Sequence, residues 1–527
     1  MLVLTVGSIP ALAGEQPLLA ASRKGDAAAV RELLRQRADP NAAEADGTTA
    51  LHWAVRADAF DAARLLIAAG ARVDSPNRYG VTPLSLAAAN GSDAMIDALI
   101  TAGADANAPA AEGETPLMIA ARTGRTGAVK VLLAHGARVN TAERWRGQTA
   151  LLWAAADNQG AVVRQLLESG AGMALRSKGG YTAVLFAARN GATEGLDALL
   201  AGGASLADTM PDGTTALMAA IVNGHFRTAM WMLDHGADPN APDPRGTPLH
   251  VLAFLRKPGY PATTGCCVLL PNGHPDTFEL AKSLLAHGAS PNARIAWKEI
   301  PFDSDAGVVR TPADLRLGRN YISFVGATPF YVAAKFSDVP FMRLLLAGGA
   351  DPLITTVQQV TPLMVAAGLG FWDAESPAPQ NGTPESDTLE AVRMILDLGA
   401  DVNAVADFGD VAIVGDGFQL RRRHPFNLKQ LPPHALGDMR WSGSTALHGA
   451  ALRGTNSVVN LLVERGAKLG ARNKLGWTPY ALADGLLVAN AERRWPETAA
   501  LLRRLMEQRG VWTAADDTPR PSSGEDK

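Results

Sequence analysis

The ten histidines are the side chains best suited to acid–base or metal chemistry, and seven of them lie at recurring positions. Three follow a Thr-x-Leu motif, where a buried imidazole can bond to backbone and to Thr hydroxyls. Three precede Gly-Ala at predicted helix ends, where a cation suits the helix dipole, and one follows Asn-Gly. In that order they are His52, His250 and His448; His135, His235 and His287; and His225. Regular placement indicates structural roles for all seven.

The remaining chemistry-bearing residues form no recognisable site. His274, His424 and His434 have no nucleophile or ligand set beside them in the sequence. Cys266 and Cys267 are adjacent, which disfavours a disulfide between them, and no second Cys pair or His-x-x-x-His completes a zinc motif. The Asp-x-Asn fragments lack a 12-residue calcium loop, and the Gly-x-Gly stretches lack a P-loop lysine. We expect no catalytic residues, no cofactor and no metal.

A run of basic residues, Arg421-Arg422-Arg423, is the strongest candidate for ligand chemistry. Clustered guanidinium groups suit an acidic peptide or a phosphate group. The alternative is a solvated loop that is partly neutralised by nearby acids. Those acids are Asp303, Asp305, Asp314 and Asp410. Both interpretations stay open at the level of sequence.

The elements that must position these residues follow a repeat. A Thr-centred motif recurs at Thr49, Thr82, Thr115, Thr149, Thr182, Thr215, Thr247, Thr328, Thr361, Thr445 and Thr478. The steps are 33, 33, 34, 33, 33, 32, 81, 33, 84 and 33 residues. A fixed period of this size predicts a stacked array, because one such unit cannot bury its own apolar face.

One unit shows the predicted plan. Asp46-Gly47 suits a turn, and Thr49 can cap a short helix that follows. A second apolar helix ends at Gly70, as a C′ glycine in the left-handed region does. The unit therefore reads as turn, helix, turn, helix, loop.

This pattern closely resembles the ankyrin repeat. The residues that carry the resemblance are Gly246-Thr247-Pro248-Leu249-His250 and Gly236-Ala237-Asp238-Pro239-Asn240, with related matches in phase along residues 16 to about 507. The chain is thus similar to bacterial-type, multi-repeat ankyrin proteins with inserts. The resemblance implies an all-α solenoid of about twelve helix-turn-helix units, with β-hairpin-like loops between repeats and a concave binding face.

Two long steps divide the array. Relative to a regular unit, the units at Thr247 and Thr361 each carry extra residues between their helices and in the loop that follows. Predicted inserts lie near 256–276, 294–325, 370–387 and 404–442, within a segment 256–442 that separates N-terminal repeats 14–255 from C-terminal repeats and a cap at 443–510. Residues 511–527 should form a disordered tail. The aromatic residues in or beside the inserts are interface anchors or pins to the scaffold.

The first thirteen residues, MLVLTVGSIPALA, end in the small-x-small pattern of a signal-peptidase site but lack a basic start. They are a truncated signal peptide or an apolar tail. The first alternative predicts a periplasmic or secreted protein, and the second allows a cytoplasmic one. We expect no membrane span, because no later segment has about 18 uninterrupted apolar residues. The net charge of −3 gives no general attraction to nucleic acid.

We expect a monomeric, non-enzymatic scaffold that binds a protein of unknown identity through the concave row of loop tips. An enzyme or ligand site within the inserts and a structural spacer are the competing hypotheses. The predicted contact residues are Arg78, Tyr79, Arg144, Trp145, Arg146, Arg176, Lys178, Arg421, Arg422 and Arg423.

Overall fold

The protein divides into two compact units, residues 1–211 and 212–527. A computed structural model describes residues 16–110, 112–241, 243, 246–256, 275–296, 302–303, 308–309, 324–370, 384–407, 410–414, 419–423, 441–474, 476–488 and 491–513. Across these residues it has 24 helices in twelve consecutive pairs. The prediction of an all-α solenoid of about twelve units is confirmed.

The first unit contains six helix pairs. They are α1 (Pro17–Arg23), α2 (Ala27–Arg35), α3 (Ala50–Arg56), α4 (Phe60–Ala68), α5 (Pro83–Asn90), α6 (Asp93–Thr101), α7 (Pro116–Arg122), α8 (Thr126–Ala134), α9 (Ala150–Ala156), α10 (Gly160–Glu168), α11 (Ala183–Asn190) and α12 (Thr193–Ala201). Odd-numbered helices pack beside one another, so that α3 lies between α1 and α5, and even-numbered helices do the same.

The second unit contains the other six pairs and three short antiparallel hairpins. Its helices are α13 (Ala216–Val222), α14 (Phe226–Asp234), α15 (Pro248–Leu255), α16 (Pro275–Ala286), α17 (Pro329–Lys335), α18 (Val339–Ala347), α19 (Pro362–Ala367), α20 (Glu385–Asp397), α21 (Ala446–Arg453), α22 (Asn456–Glu464), α23 (Pro479–Asp484) and α24 (Pro496–Gln508). Its strands are β1 (Phe302–Asp303), β2 (Val308–Val309), β3 (Asp410–Val414), β4 (Gln419–Arg423), β5 (Leu486–Val488) and β6 (Ala491–Arg493).

The Thr motif starts the first helix of every described pair except the first, where the N-cap of α1 is Gln16. Thr49 is the N-cap of α3, and its side chain accepts a hydrogen bond from the backbone N–H of His52. Such a cap is worth about 1 kcal/mol because it satisfies an otherwise unpaired helix donor. After α4 the chain turns at Gly70, whose φ of 87° lies in the left-handed region that glycine favours. The local signals that set the period therefore also set where each helix begins and ends.

The core lies between neighbouring pairs. Leu51, Ala54 and Leu66 are fully buried, each on a helix that faces the next pair. Full burial of a leucine side chain is worth about 1.5–3 kcal/mol, and a single pair has no other surface against which to bury it. Stability therefore arises at the interfaces between pairs.

An asparagine bridge joins successive repeats and continues past the inserts. Asn41 donates to the carbonyl oxygen of Gly70, 29 residues along the chain, at 3.1 Å. Asn240, Asn292 and Asn403 make the same bond to glycines 48, 57 and 63 residues along. Chain added between two repeats of the second unit thus leaves this stacking contact in place.

Most of each predicted insert lies outside the described residues, as do Cys266, Cys267, His274, His424 and His434. Two aromatic residues at insert ends are described. Phe324 is 2% exposed and Trp441 is fully buried, so both pin the chain to the repeats, as one of the two interpretations predicts. Phe324 packs edge-on against Phe254 of α15, with ring centroids 5.1 Å apart.

The C-terminal pair differs from the others. The hairpin β5–β6 separates α23 from α24, and Trp495 before α24 donates to the carbonyl oxygen of Leu452 at 2.9 Å. Trp512 packs edge-on against Tyr480 at 4.8 Å, which places it in the ordered cap although the predicted tail began at residue 511. Residues 514–527 and the predicted signal peptide, 1–13, lie outside the described residues. Among the described helices, none has the length and apolar content needed to cross a membrane.

Candidate interaction surface on the first unit

The hairpin tips between repeats lie side by side in the first unit. The backbone N–H of Arg78 donates to Asp46 O at 2.7 Å, joining the tips of successive repeats. Three repeats further on, Lys178 N–H donates to Arg146 O at 2.8 Å. Most of the residues predicted as contacts therefore occupy one edge, which we call the tip row (residues 46, 78–79, 112, 144–146 and 178).

Two large aromatic side chains stand out from the tip row. Tyr79 is 60% exposed and Trp145 is 65% exposed. The guanidinium of Arg78 lies 5.1 Å from the centre of the Tyr79 ring and also donates to its hydroxyl at 2.9 Å. Arg146 lies 4.9 Å from the centre of the Trp145 ring. Each tip thus presents an arginine stacked on an aromatic ring, the residue types that are most enriched among binding hot spots.

Glu143 builds the tip that carries Trp145, and the sequence analysis missed it. Its side chain is buried, and its carboxylate accepts hydrogen bonds from the backbone N–H groups of Trp145 (2.6 Å), Arg146 (2.8 Å) and Gln148 (2.8 Å). This tip belongs to the 34-residue step, so it has one residue more than its neighbours. That extra residue was the available signal, because a longer turn needs an acceptor for its backbone donors.

The side chains of Arg176 and Lys178 make hydrogen bonds to backbone carbonyl oxygens within the first unit. Arg176 donates to the carbonyl oxygens of Gly180 (2.7 Å) and Thr209 (2.9 Å) and lies 3.6 Å from the carboxylate of Asp208. Lys178 Nζ donates to Arg144 O at 2.5 Å, which keeps its charge at the longer tip. The structure therefore brings Arg144, Arg146 and Lys178 together, whereas Arg176 mainly braces the next loop.

A second row, on the first helices of the pairs, also escaped the sequence analysis. It consists of the fourth residue after each capping Thr: Trp53, Leu86, Ile119, Trp153 and Phe186. Arginines lie over its tryptophans: Arg23 at 4.3 Å and Arg56 at 5.5 Å from the Trp53 ring, and Arg122 at 4.8 Å from Trp153. The signal was the recurrence of aromatic or apolar residues at this position, followed three residues later by Arg in three of the five repeats.

Two contacts join this helix row to the hairpin loops. Glu44 in the first loop accepts from Trp53 Nε1 at 3.1 Å and pairs with Arg23. In the sixth repeat, Tyr181 stacks on Phe186 at 4.8 Å, with Arg189 5.3 Å from the Tyr181 ring. Loops and first helices of the first unit therefore meet at aromatic rings with guanidinium groups beside them. In this row Trp53, Leu86 and Phe186 are half-buried, and Ile119 and Trp153 are buried.

Some of the same loop positions are buried in the second unit. Phe324 and Trp441 stand four residues before their capping Thr, as Trp145 does, but they are buried. Between them Val357 is 50% exposed, whereas Gln358 beside it is 3% exposed. Among the described residues, the exposed aromatic tips therefore lie in the first unit, at Tyr79 and Trp145.

The predicted arginine cluster lies on a strand of the second unit. Arg421, Arg422 and Arg423 belong to β4, which pairs with β3 so that Asp410 is directly opposite Arg423 in the register. Their backbones are described and their side chains are not, so both interpretations of this cluster remain predictions.

The recurrent histidines form structural bonds. Thr49 donates to His52 Nδ1 from its backbone N–H (3.2 Å), and its hydroxyl lies 2.8 Å from that nitrogen. Because Nδ1 accepts, Nε2 carries the proton and donates to Val81 O at 3.0 Å. Burial lowers the pKa of His52, and it lowers the pKa of His250 and His448 to about 4. Both nitrogens of these imidazoles are therefore bonded within the repeat array.

No group of three or more His, Cys, Asp or Glu side chains is arranged to hold a metal ion within the described ranges. The surface offers instead exposed rings and fixed positive charges. Exposed aromatic rings and arginines are residue types enriched at protein interfaces.

Family models match this chain along both units. A model described as "Ankyrin repeats (3 copies)" matches residues 17–110, 84–177 and 162–243. A model described as "Ankyrin repeat" matches residues 325–357 and 442–474. Together the matched segments cover more than half of the chain.

Individual relatives match over short segments. Neurogenic locus notch homolog protein 1 from Danio rerio is 42% identical over 73 residues, which are 14% of this chain and 3% of that protein. RelA-associated inhibitor from Mus musculus is 38% identical over 78 residues, 15% of this chain and 10% of that protein. The solved human ASB11 ankyrin repeat domain is 26% identical with a TM-score of 0.38, covering 41% of this chain and 97% of its own.

Proposed function

Because the chain belongs to the ankyrin repeat family, we propose that it is a non-enzymatic scaffold that binds a protein partner through the tip row and helix row of its first unit. The observation that carries the proposal is the pair of exposed, arginine-stacked rings, Tyr79 and Trp145. Contact with a partner would remove these exposed rings from water, which is favourable for aromatic side chains. Each ring is also held by a tip whose backbone is fixed, which reduces the entropy lost on binding.

The arrangement favours a broad contact. The tip of Tyr79 and the tip of Trp145 belong to repeats separated by one intervening loop, whose residues include Glu112 and Gly113. Below them, Trp53, Leu86 and Phe186 of the helix row are half-buried and present apolar surface, whereas Ile119 and Trp153 are buried. A partner that touched both rows would cover several repeats, as a stable protein interface requires. A small ligand needs a concave site that buries most of its surface, and this open surface suits a macromolecule better.

The test is quantitative capture of partner proteins by the full chain, read by mass spectrometry. The variant is Tyr79→Ala/Trp145→Ala, and the matched control is Leu353→Ala, which removes a 45% exposed side chain from the second unit. We expect the double variant to lose about tenfold or more of the captured partner, since truncating a hot-spot aromatic typically costs about 2 kcal/mol or more. The control should capture as the unaltered chain does.

Two results would overturn the proposal. One is that no protein is captured in proportion to the amount of folded chain. The other is that the double variant and the control capture the same proteins equally well. Circular dichroism on each variant separates loss of binding from loss of fold, and both rings are exposed enough that the fold should persist.

A further inference from the structure

Resting on the proposed function, we infer that the partner presents an acidic segment to the longer tip: aspartate or glutamate side chains beside an apolar or aromatic one. The site consists of Arg144, Trp145, Arg146 and Lys178. Carboxylates would pair with the guanidinium and ammonium groups, and the apolar side chain would pack on the exposed indole.

The first argument concerns Glu143, the acidic residue of this tip. Glu143 precedes the two arginines in the sequence, where it could neutralise them from outside. Instead it is 5% exposed, and its oxygens accept the backbone N–H groups of Trp145, Arg146 and Gln148. The Glu143 carboxylate therefore binds backbone N–H groups of the turn, and it does not pair with the exposed guanidinium groups of Arg144 and Arg146.

The second argument is that three cations meet at this tip and, among the described residues, none of them is paired, although a few other cations of the same unit are. Arg23 pairs with Glu44, Arg164 lies 3.9 Å from Asp197, and Arg176 lies 3.6 Å from Asp208. Within the described residues, Arg144, Arg146 and Lys178 have no carboxylate within ion-pair distance. Three like charges are thus held together with no described carboxylate paired to any of them, an arrangement that an acidic partner would stabilise.

Backbone contacts hold these charges in place. Lys178 Nζ bonds to Arg144 O at 2.5 Å, and Lys178 N–H bonds to Arg146 O at 2.8 Å. The stem of Arg144 lies on Gly113, where an added Cβ would come within 3.0 Å of Arg144 Cγ. Fixed stems reduce the entropy that the side chains lose when they bind.

The guanidinium groups and the indole ring of this tip favour a carboxylate beside an apolar group. A guanidinium stacked on an indole face keeps its edge N–H groups available, and that fork matches a carboxylate in two parallel hydrogen bonds. Trp145 supplies an apolar ring at the same position. Phosphate groups of a nucleic acid would also attract the cations, but Glu112 and Glu114 on the preceding loop would repel a continuous phosphate backbone crossing the row. A short acidic segment can avoid those two residues.

The experiment is selection of peptides from a displayed library of random 16-residue sequences on the full chain. Selected peptides are then labelled and their affinities measured by fluorescence anisotropy. The test variant is Arg144→Glu/Arg146→Glu. The matched control, Lys130→Glu/Arg164→Glu, makes the same charge change at exposed positions on α8 and α10.

We expect selected peptides to be enriched in Asp and Glu and to contain an aromatic or large apolar residue. The test variant should bind them about tenfold or more weakly, with a weaker salt dependence, while the control binds normally. Selection on the test variant should yield peptides rich in Lys and Arg.

Three outcomes would overturn the inference, and they are distinguishable. Peptides without acidic enrichment that still require Trp145 would exclude the acidic partner and leave the proposed function intact. A single-stranded DNA 20-mer that binds more tightly than any peptide, dependent on Arg146, would make the site a nucleic-acid site. If no peptide binds in a manner sensitive to the tip row or helix row, the proposed function fails and the inference fails with it.

Discussion

His250 donates from Nε2 to the carbonyl oxygen of Ala327 at 3.0 Å, although 77 residues separate the two in the chain. His52 makes the same bond to Val81, only 29 residues away, and also at 3.0 Å. A first helix and the hairpin of the next repeat are therefore joined in the same way whether the intervening chain is regular or long. The inserts extend the sequence between repeats without changing how the repeats meet.

Burial of these histidines makes stability depend on pH. Burial holds the pKa of His250 and His448 at about 4 in the folded chain, and an unfolded histidine titrates near 6.5. Between these values the unfolded chain binds protons that the folded chain does not. The free energy of unfolding should therefore be highest above pH 6.5 and fall as the pH drops towards 4, by about 2 kcal/mol per histidine at pH 5. Urea denaturation at pH 7.5 and pH 5.0, followed by tryptophan fluorescence, measures the difference.

The matched variant is His250→Gln/His448→Gln. It should be less stable at pH 7.5, because two bonds between repeats are lost, but its free energy of unfolding should vary less with pH. An unchanged pH dependence in this variant would show that other groups cause it. His135→Gln serves as the control, since that ring is partly exposed at the end of α8 and pairs with Asp97 at the surface.

The fold was predictable because its signals are local. A Thr cap starts the first helix and a glycine follows the second helix in most repeats, so reading the 33-residue period located the capping threonines of eleven first helices. Exposure of the tips was not predictable in this way. Tyr79 and Trp441 both stand at hairpin tips, yet one is 60% exposed and the other is fully buried. Burial at these positions depends on which distant part of the chain comes near, and no local pattern encodes that.

The ion pair between Arg256 and Asp338 should be strongly destabilising to break. Both side chains are less than 10% exposed, and Arg256 binds Asp338 through two nitrogens at 2.6 and 3.1 Å and Thr277 at 2.8 Å. Asp338→Ala leaves a buried guanidinium without a counter-charge and removes the N-cap of α18. We expect a loss of about 3–5 kcal/mol in the free energy of unfolding, measured in urea at pH 7.5.

A second variant separates the charge from the packing. Arg256→Met/Asp338→Leu removes both charges and should recover most of the loss, because the Phe278 and Phe341 rings already surround the guanidinium. Arg164→Ala is the control for an exposed pair, 3.9 Å from Asp197, and should cost less than about 1 kcal/mol. Equal losses in Asp338→Ala and Arg164→Ala would contradict the prediction.

The sequence predicted only part of the candidate interaction surface. Arg144, Trp145 and Arg146 were found because exposed, variable residues at loop tips stand out against a fixed repeat frame. Glu143 was missed because nothing in its type indicates that its carboxylate faces inward to backbone N–H groups. The helix row was missed because the fourth residue after each Thr falls on an apolar stripe that also predicts core.

Glu143→Ala should loosen the longer tip without removing any residue that meets a partner. Three backbone N–H groups would lose their acceptor, at a cost of about 1–3 kcal/mol in the free energy of unfolding. Affinity for a partner held by Trp145 should fall severalfold. Anisotropy of a selected peptide measures the affinity, and Glu168→Ala, at the exposed end of α10, is the control. Unchanged affinity with reduced stability would mean that the tip keeps its shape without Glu143.

Gly449→Ala should destabilise the second unit, although alanine is the better helix former by about 1 kcal/mol. Gly449 lies within α21, and a Cβ there would come within 2.5 Å of the backbone nitrogen of Leu369, which cannot rotate away. Relief requires α19 and α21 to separate, so we expect a loss of about 1–3 kcal/mol in urea denaturation. Gly127→Ala is the matched control: within α8 its Cβ would meet the flexible carboxylate of Asp93, which can move into solvent, so this variant should be neutral or slightly stabilised. If Gly449→Ala were as stable as Gly127→Ala, Gly449 of α21 would not lie as close to the backbone of Leu369 as the structure places it.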